Sequence, residues 1–324
     1  MIRPYRTLVL LTILTTSLVA SGRTLEVPDT AASIASGLAL ASPGDTVVVA
    51  PGVYFETDLQ MADGVTLLGD PANPGAVVID GQWSGTLISC DGVAPGTLIG
   101  GITFRHGLGI SEAPVHCTSG APTFRRCHFR ENMSGTDGGG VNVTDSQPIF
   151  EDCLFDTNQS GISAGGGLVS RRSNTLLRRC VFRNNLSLGW GGALYISGTT
   201  EVVVIEKCRF EDNVGRFGGA LAVNGATASL LECDFDGNSG GDSGGAFIVH
   251  FGGRMFVEDS RFSGNASSAG KIGLIAAGCV GVLTCVDADH GLVIGAGSIT
   301  WLDEGCDFVA NEGFGWGDLK RLYR

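Results

Sequence analysis

Proline is scarce in this chain, ten among 324 residues, and the 51 glycines follow no Gly-X-Y period, so a collagen-like rod is excluded. No basic stripe interrupts a formal charge of −12, which argues against nucleic acid as a partner. No stretch beyond Ala20 is long and apolar enough to span a bilayer as a helix. No pair of cysteines has the Cys-x-x-Cys spacing of a zinc site. The acidic loops leave calcium between turns open but show no ordered ligand set for it, and no other metal or cofactor is expected. With 43% hydrophobic residues the chain still has ample material for a core, which separates it from glycine-rich disorder.

The amino terminus stands apart. Arg3 and Arg6 precede an apolar run from Leu8 to Ala20, and Ala20-Ser21-Gly22 supplies small residues for cleavage. This is the pattern of a secretory signal peptide over 1–22, and it predicts a secreted or cell-surface protein of the bacterial export type.

What the rest of the chain has in abundance is a repeat. Phe129, Phe155, Phe182, Phe210, Phe235 and Phe262 recur at intervals of 26, 27, 28, 25 and 27 residues. Two positions before each phenylalanine stand Cys127, Cys153, Cys180, Cys208 and Cys233, with Ser260 in the sixth copy. Three positions after each stand Asn132, Asn158, Asn185, Asn213, Asn238 and Asn265. Phe104 marks an earlier, imperfect copy, and Cys306-Asp307-Phe308-Val309-Ala310-Asn311 restores the motif near the end. After each asparagine come a variable loop, a Gly-Gly pair, and an alternating segment beginning at Val141, Leu168, Leu194, Leu221 and Phe247.

Each repeat holds three short segments of period 2, the spacing of strands, and none has the continuous periodicity of a helix. The pattern predicts an all-β, right-handed parallel β-helix of three short strands per coil and about 26 residues per coil. In such a stack each inward residue lies on its counterpart in the next turn, which explains ladders of cysteine, phenylalanine and aliphatic residues. Asparagine at a tight turn tolerates a left-handed backbone and can bond the asparagines above and below. Outward positions mostly alternate in sign from turn to turn, as in Arg125, Glu151, Arg178 and Glu206, which favours in-register stacking.

The domain expected over 23–324 divides into an N-terminal cap and first coil (23–69), repeat coils (100–311) and a short C-terminal end (312–324). Thr30 to Ala41 reads as a short capping helix laid over the open end of the coil.

The stretch Pro43-Gly44-Asp45-Thr46-Val47, Pro51-Gly52-Val53-Tyr54 and Gly64-Val65-Thr66-Leu67-Leu68-Gly69, with the repeats after it, resembles the pectin-lyase-like right-handed β-helix superfamily. The Phe-x-x-Asn copies with Gly-Gly-Ala also resemble polymorphic outer-membrane protein repeats. The resemblance implies the coil fold and a range of roles that includes lyases, hydrolases, adhesins and surface proteins.

The catalytic motifs are thin. Hydrolases of that superfamily use clustered aspartates with Gly-His-Gly and Arg-x-Lys; the nearest fragment here is Arg105-His106-Gly107-Leu108, and no Asp-Asp pair exists. Gly241-Asp242-Ser243-Gly244-Gly245 mimics a serine-protease nucleophile but occupies the Gly-Gly slot of the repeat. The ladder cysteines sit where phenylalanine and leucine also sit, and parallel in-register side chains point the same way, so buried free thiols are expected. Glycosylation sequons at Asn132, Asn158, Asn185 and Asn265 fall on the structural asparagine. Trp190, Tyr195 and Phe217 flank consecutive Gly-Gly sites and are the residues expected to contact a carbohydrate ligand.

The residues by themselves support an exported, non-catalytic surface, adhesion or glycan-binding protein. The alternative that the resemblance adds is a polysaccharide lyase or glycoside hydrolase. The expected partner is a polysaccharide or a cell-surface molecule, and the expected state a monomer.

Overall fold

A computed structural model describes residues 22–199, 201–268, 272–284, 286–288 and 298–302. One turn shows the plan: Thr123–Arg125, His128–Arg130, Met133–Ser134 and Val141–Thr144, after which Ile149–Glu151 begins the next. Stacking these strands turn upon turn gives four parallel sheets. Sheet 1 has twelve strands and carries the first segment; sheet 2 has ten and carries the phenylalanines. Sheet 3 is a short seven-stranded ladder after the asparagine turn, within the stretch that reads as a variable loop, and sheet 4 has nine strands. All strand pairs among the described residues are parallel, and the phenylalanine sheet is in register, with Phe129 on Phe155, Phe155 on Phe182, and so on to Phe262. Sheet 3 has register shifts between Ser187 and Trp190 and between Gly215 and Phe217.

The core is the inside of the coil. Phe155, Phe182, Phe210, Phe235 and Phe262 stack with centroids 4.3 to 5.0 Å apart and planes within 14°. Burial of these rings and of the aliphatic columns beside them supplies the main driving force. Cys127, Cys153, Cys180, Cys208 and Cys233 are buried and free, as are Cys90, Cys117 and Cys279. Burial is the main reason that the thiols of Cys153, Cys180, Cys208 and Cys233 are pushed up from the ordinary range.

The asparagine ladder is fully bonded. Asn185 Nδ2 donates to Phe155 O (2.9 Å) and Asn213 Oδ1 (2.9 Å), while its Oδ1 accepts from Asn158 N (3.1 Å) and Nδ2 (3.0 Å). The sequon asparagines are therefore structural and buried. Gly-Gly has two separate causes. Gly191 has φ 61°, a left-handed conformation, whereas a Cβ on Gly192 would lie 2.1 Å from Gly219 O in the next turn. The Asp242–Gly245 segment occupies the equivalent slot, with Gly244 at φ 64°.

The N-terminal helix spans Ile34–Leu40, capped by a Ser33–Ser36 capping box, and buries Ile34, Gly37 and Leu38 over the first coil. The leader 1–22, apart from Gly22, lies outside the described residues, as do the copy at Cys306–Asn311 and the C-terminal end 312–324.

Candidate functional site

Residues that point outward from sheet 2 escape the repeat's core constraint, and there the turns differ. The column one place after the core residue, Ile79 in the first of these turns and phenylalanine in the rest, reads Asp80, Arg105, Arg130, Asp156, Arg183, Glu211 and Asp236. Most neighbours are opposite in charge; the exceptions are Glu211 on Asp236 and Arg105 on Arg130, each pair direct register partners on adjacent strands. Each guanidinium turns away from the other: Arg105 Nε donates to Asp80 Oδ2 at 2.8 Å, and Arg130 pairs with Asp156 at 3.3 Å. The Arg130–Asp156 contact is an ion pair without hydrogen-bond alignment, so the buried Arg130 Nε keeps no hydrogen-bond partner. Between the two arginines lies a cavity of ≈ 100 Å³, lined by Gly75, Val78, Thr103, Arg105, His128, Arg130 and Glu131.

Asp80 anchors one side of this surface, its side chain only 7% exposed. Besides Arg105, it accepts from the Gln82 N–H (2.9 Å) and faces His106 Nδ1 at 3.1 Å. Burial pushes the Asp80 carboxyl up, but these three partners together outweigh it and hold the group below the usual range. His106 Nε2 in turn lies 3.1 Å from Glu131 Oε2, so both imidazole nitrogens meet a carboxylate. Trp83 covers the imidazole, with centroids 4.9 Å apart. Gln82 and Trp83 are consecutive non-glycine residues at φ 50° and 60°, a local strain of the kind found at ligand sites.

His128, one strand from Thr103, lines the cavity itself. Burial first, then the positive charges of Arg130 and Arg183, lower its pKa from the ordinary value. At neutral pH it is therefore an uncharged imidazole between cations, able to accept a proton.

The fragment Arg105-His106-Gly107 thus acquires from the neighbouring turns the carboxylates that it lacks in sequence. Asp80 and Glu131 are 26 and 25 residues away along the chain. The aromatic residues expected to bind a ligand do share one face, with Trp190 and Phe217 centroids 4.6 Å apart. They lie elsewhere on the coil, and Tyr195 is only 6% exposed, covered by the Arg171 guanidinium 5.0 Å from its ring. Among the described residues no group of three or more His, Cys, Asp or Glu has a metal-binding arrangement.

The profile of a family described as the right-handed β-helix region matches residues 77–239 and 168–315. The chain belongs to the right-handed β-helix family. Among solved β-helix structures, it is similar to the PL6 family alginate lyase AlyGC, with 16% identity and a TM-score of 0.50 over 86% of this chain and 40% of that one. The catalytic domain of a GH87 α-1,3-glucanase in complex with nigerose has 12% identity and a TM-score of 0.43, over 88% of this chain and 69% of that one. A pectin methylesterase mutant in complex with a hexasaccharide has 11% identity and a TM-score of 0.42, over 78% and 86%. No curated protein matches this β-helix chain in sequence. It spans well under half the length of the alginate lyase, and these likenesses concern the coil alone.

Proposed function

We propose that this β-helix protein binds an acidic polysaccharide across the outward face of sheet 2 and cleaves it by β-elimination. The observation that carries the reading is the stacking of Arg105 on Arg130 over a cavity that also holds His128. Arg105 and Arg130 are like-charged neighbours although each also meets a carboxylate, Asp80 for the first and Asp156 and Glu131 for the second. A sugar carboxylate entering between them has the right charge and planar shape. Neutralising that carboxylate acidifies the C–H bond beside it. His128 would take the proton, the electron pair would form the ring double bond, and the glycosidic C–O bond would break with protonation of the departing oxygen. Trp83 offers a stacking surface for the adjoining sugar.

Hydrolysis fits the same residues less well. It requires a carboxyl group that remains protonated near neutral pH, and Asp80 is held in the opposite direction. The likeness to an alginate lyase accords with elimination but concerns the fold alone.

Glu131 occupies His106 Nε2, which favours a second reading in which this surface holds a glycan without cleaving it. Incubation with alginate, polygalacturonate and neutral glucans separates the two. Unsaturated chain ends from an acidic substrate are expected. Retention on an acidic-polysaccharide gel without such ends would assign the surface-binding role, and neither result would remove both readings. Export directed by residues 1–22 belongs to the same proposal; N-terminal sequencing of the protein recovered outside cells is expected to begin near Arg23.

A further inference from the structure

Phe251 puts an aromatic residue at a left-handed place that its equivalents in the preceding turns fill with small or polar side chains. It follows the strand Phe247–His250 at the turn leaving sheet 4, where the chain repeats a left-handed residue. Ser119, Asp145, Arg172, Gly198 and Gly225 hold the equivalent place in the five preceding turns, with φ 56°, 51°, 45°, 64° and 57°. Glycine thus serves in the two turns just before, yet at 251 a phenylalanine takes φ 49°. A bulky residue in that region is strained by roughly 1–3 kcal/mol. Its ring is also 66% exposed, so the strain is not offset by burial. Folding alone gives no reason for this residue.

The surroundings supply one. Phe251 meets His250 edge-on at 4.1 Å, and Trp190 lies 6.5 Å from Phe251 and 5.6 Å from His250. Beneath them the outward residues Val169, Tyr195, Ala222 and Ile248 form an apolar cluster separate from the coil's interior. His250 Nδ1 is buried and has no hydrogen-bond partner. Asn224 Nδ2 donates to the Tyr195 hydroxyl at 2.9 Å, which puts a second polar group beside the bare backbone of Gly225. The nearby cations are already neutralised: Arg171 by Asp137 (2.6 Å), Arg172 by Asp145 (2.7 Å) and Arg216 by Asp242 (2.6 Å).

We propose that Phe251, Trp190 and His250 form a second carbohydrate site, one that takes a neutral sugar unit with its C–H face on the aromatic rings. A strained, exposed ring beside an unpaired polar atom matches an amphipathic ligand that stacks on one side and hydrogen-bonds on the other. The paired arginines leave no net charge to select an acidic sugar. Trp190 lies in the third turn after His106, about 14 Å further along the axis at roughly 4.8 Å per turn. The inference rests on the aromatic geometry and holds whether or not the Arg105–Arg130 face is catalytic.

The test uses the whole chain, with Phe251→Gly and Trp190→Phe, in affinity gels containing gluco-, xylo- or galactomannan and in calorimetry with the corresponding hexaoses. Wild type is expected to be retained by at least one neutral glycan. Phe251→Gly is expected to bind it roughly threefold to tenfold more weakly while unfolding at the same temperature or higher, because glycine relieves the left-handed strain. Trp190→Phe, which keeps an aromatic ring, should lose less. His106→Ala should leave this binding unchanged. No retention of wild type by any of these glycans would overturn the proposal. So would a Phe251→Gly variant that binds as wild type does, or one that melts earlier, which would make the ring a structural part.

Discussion

Asp80 and His106, 26 residues apart in sequence, meet across adjacent turns with Oδ1 and Nδ1 3.1 Å apart. Asp80 is buried and His106 is a quarter exposed, so the carboxylate fixes the ring and the ring faces the surface. Replacing Asp80 by Asn removes the charge that serves Arg105 and His106 together. We expect a loss of about 2 kcal/mol in urea unfolding, as for hydrogen bonds to a charged group. His106→Ala should cost less than about 1 kcal/mol while abolishing the positioning of Glu131.

His128 carries the sharpest functional expectation. Substitution by Ala should reduce formation of unsaturated product by about 10²–10⁴-fold, the range for a lost general base. Because its imidazole is held below the ordinary value, product formation should rise with pH through a midpoint below about 6.5 and stay level at neutral pH. An acid limb centred above that value would assign the base elsewhere.

The asparagine ladder should be among the least tolerant parts of the coil. Asn185→Ala removes the side-chain partner of the Asn158 N–H and of Phe155 O in a buried turn, and leaves Asn213 Oδ1 with the Asn185 backbone N–H alone of its two donors from that residue. A loss of about 2–4 kcal/mol is expected, read from denaturant midpoints. Asn185→Asp should be no better, since a carboxylate cannot donate to either acceptor.

Asp156 links stability to pH. Burial raises its carboxyl, but Arg183, at 3.0 Å, with Thr157 and Asn184 brings it below the ordinary range. Asp80, Asp145, Glu151 and Asp152 are lowered as well. A depressed carboxyl stabilises the fold fully above its unfolded pKa, and that contribution disappears as pH falls through the folded value. The carboxylates' contribution should therefore be level above about pH 4.5 and drop in more acidic solution, while His128, with its lowered pKa, adds stability as pH rises toward about 6.5. Asp156→Asn should start lower and show a shallower acid limb.

The thiol ladder should be chemically silent. Brief alkylation of the folded protein followed by peptide mapping is expected to leave Cys153, Cys180 and Cys208 unmodified, since they are buried and their thiolates are disfavoured. In denaturant all three should react.

The sequence by itself determined the coil, because stacking turns in register forces the same residue type into each inward slot. Phe129 to Phe262, Cys127 to Cys233 and Asn132 to Asn265 are that constraint written out, and Gly191-Gly192 shows why two glycines were needed. The surface was decided only by the tertiary structure. Asp80, Arg105, His106, His128, Arg130 and Glu131 belong to three turns. Asp80, Arg105 and Arg130 keep the 25-residue step of the coil, but their residue types change from turn to turn because outward side chains need not fill a packed core. Their meeting depends on which turn lies next to which. One signal was present in the letters: at the position held by Gly198 and Gly225, the chain places Phe251. It became legible once the coil showed that the position is left-handed and open to solvent, where a phenylalanine has no folding role.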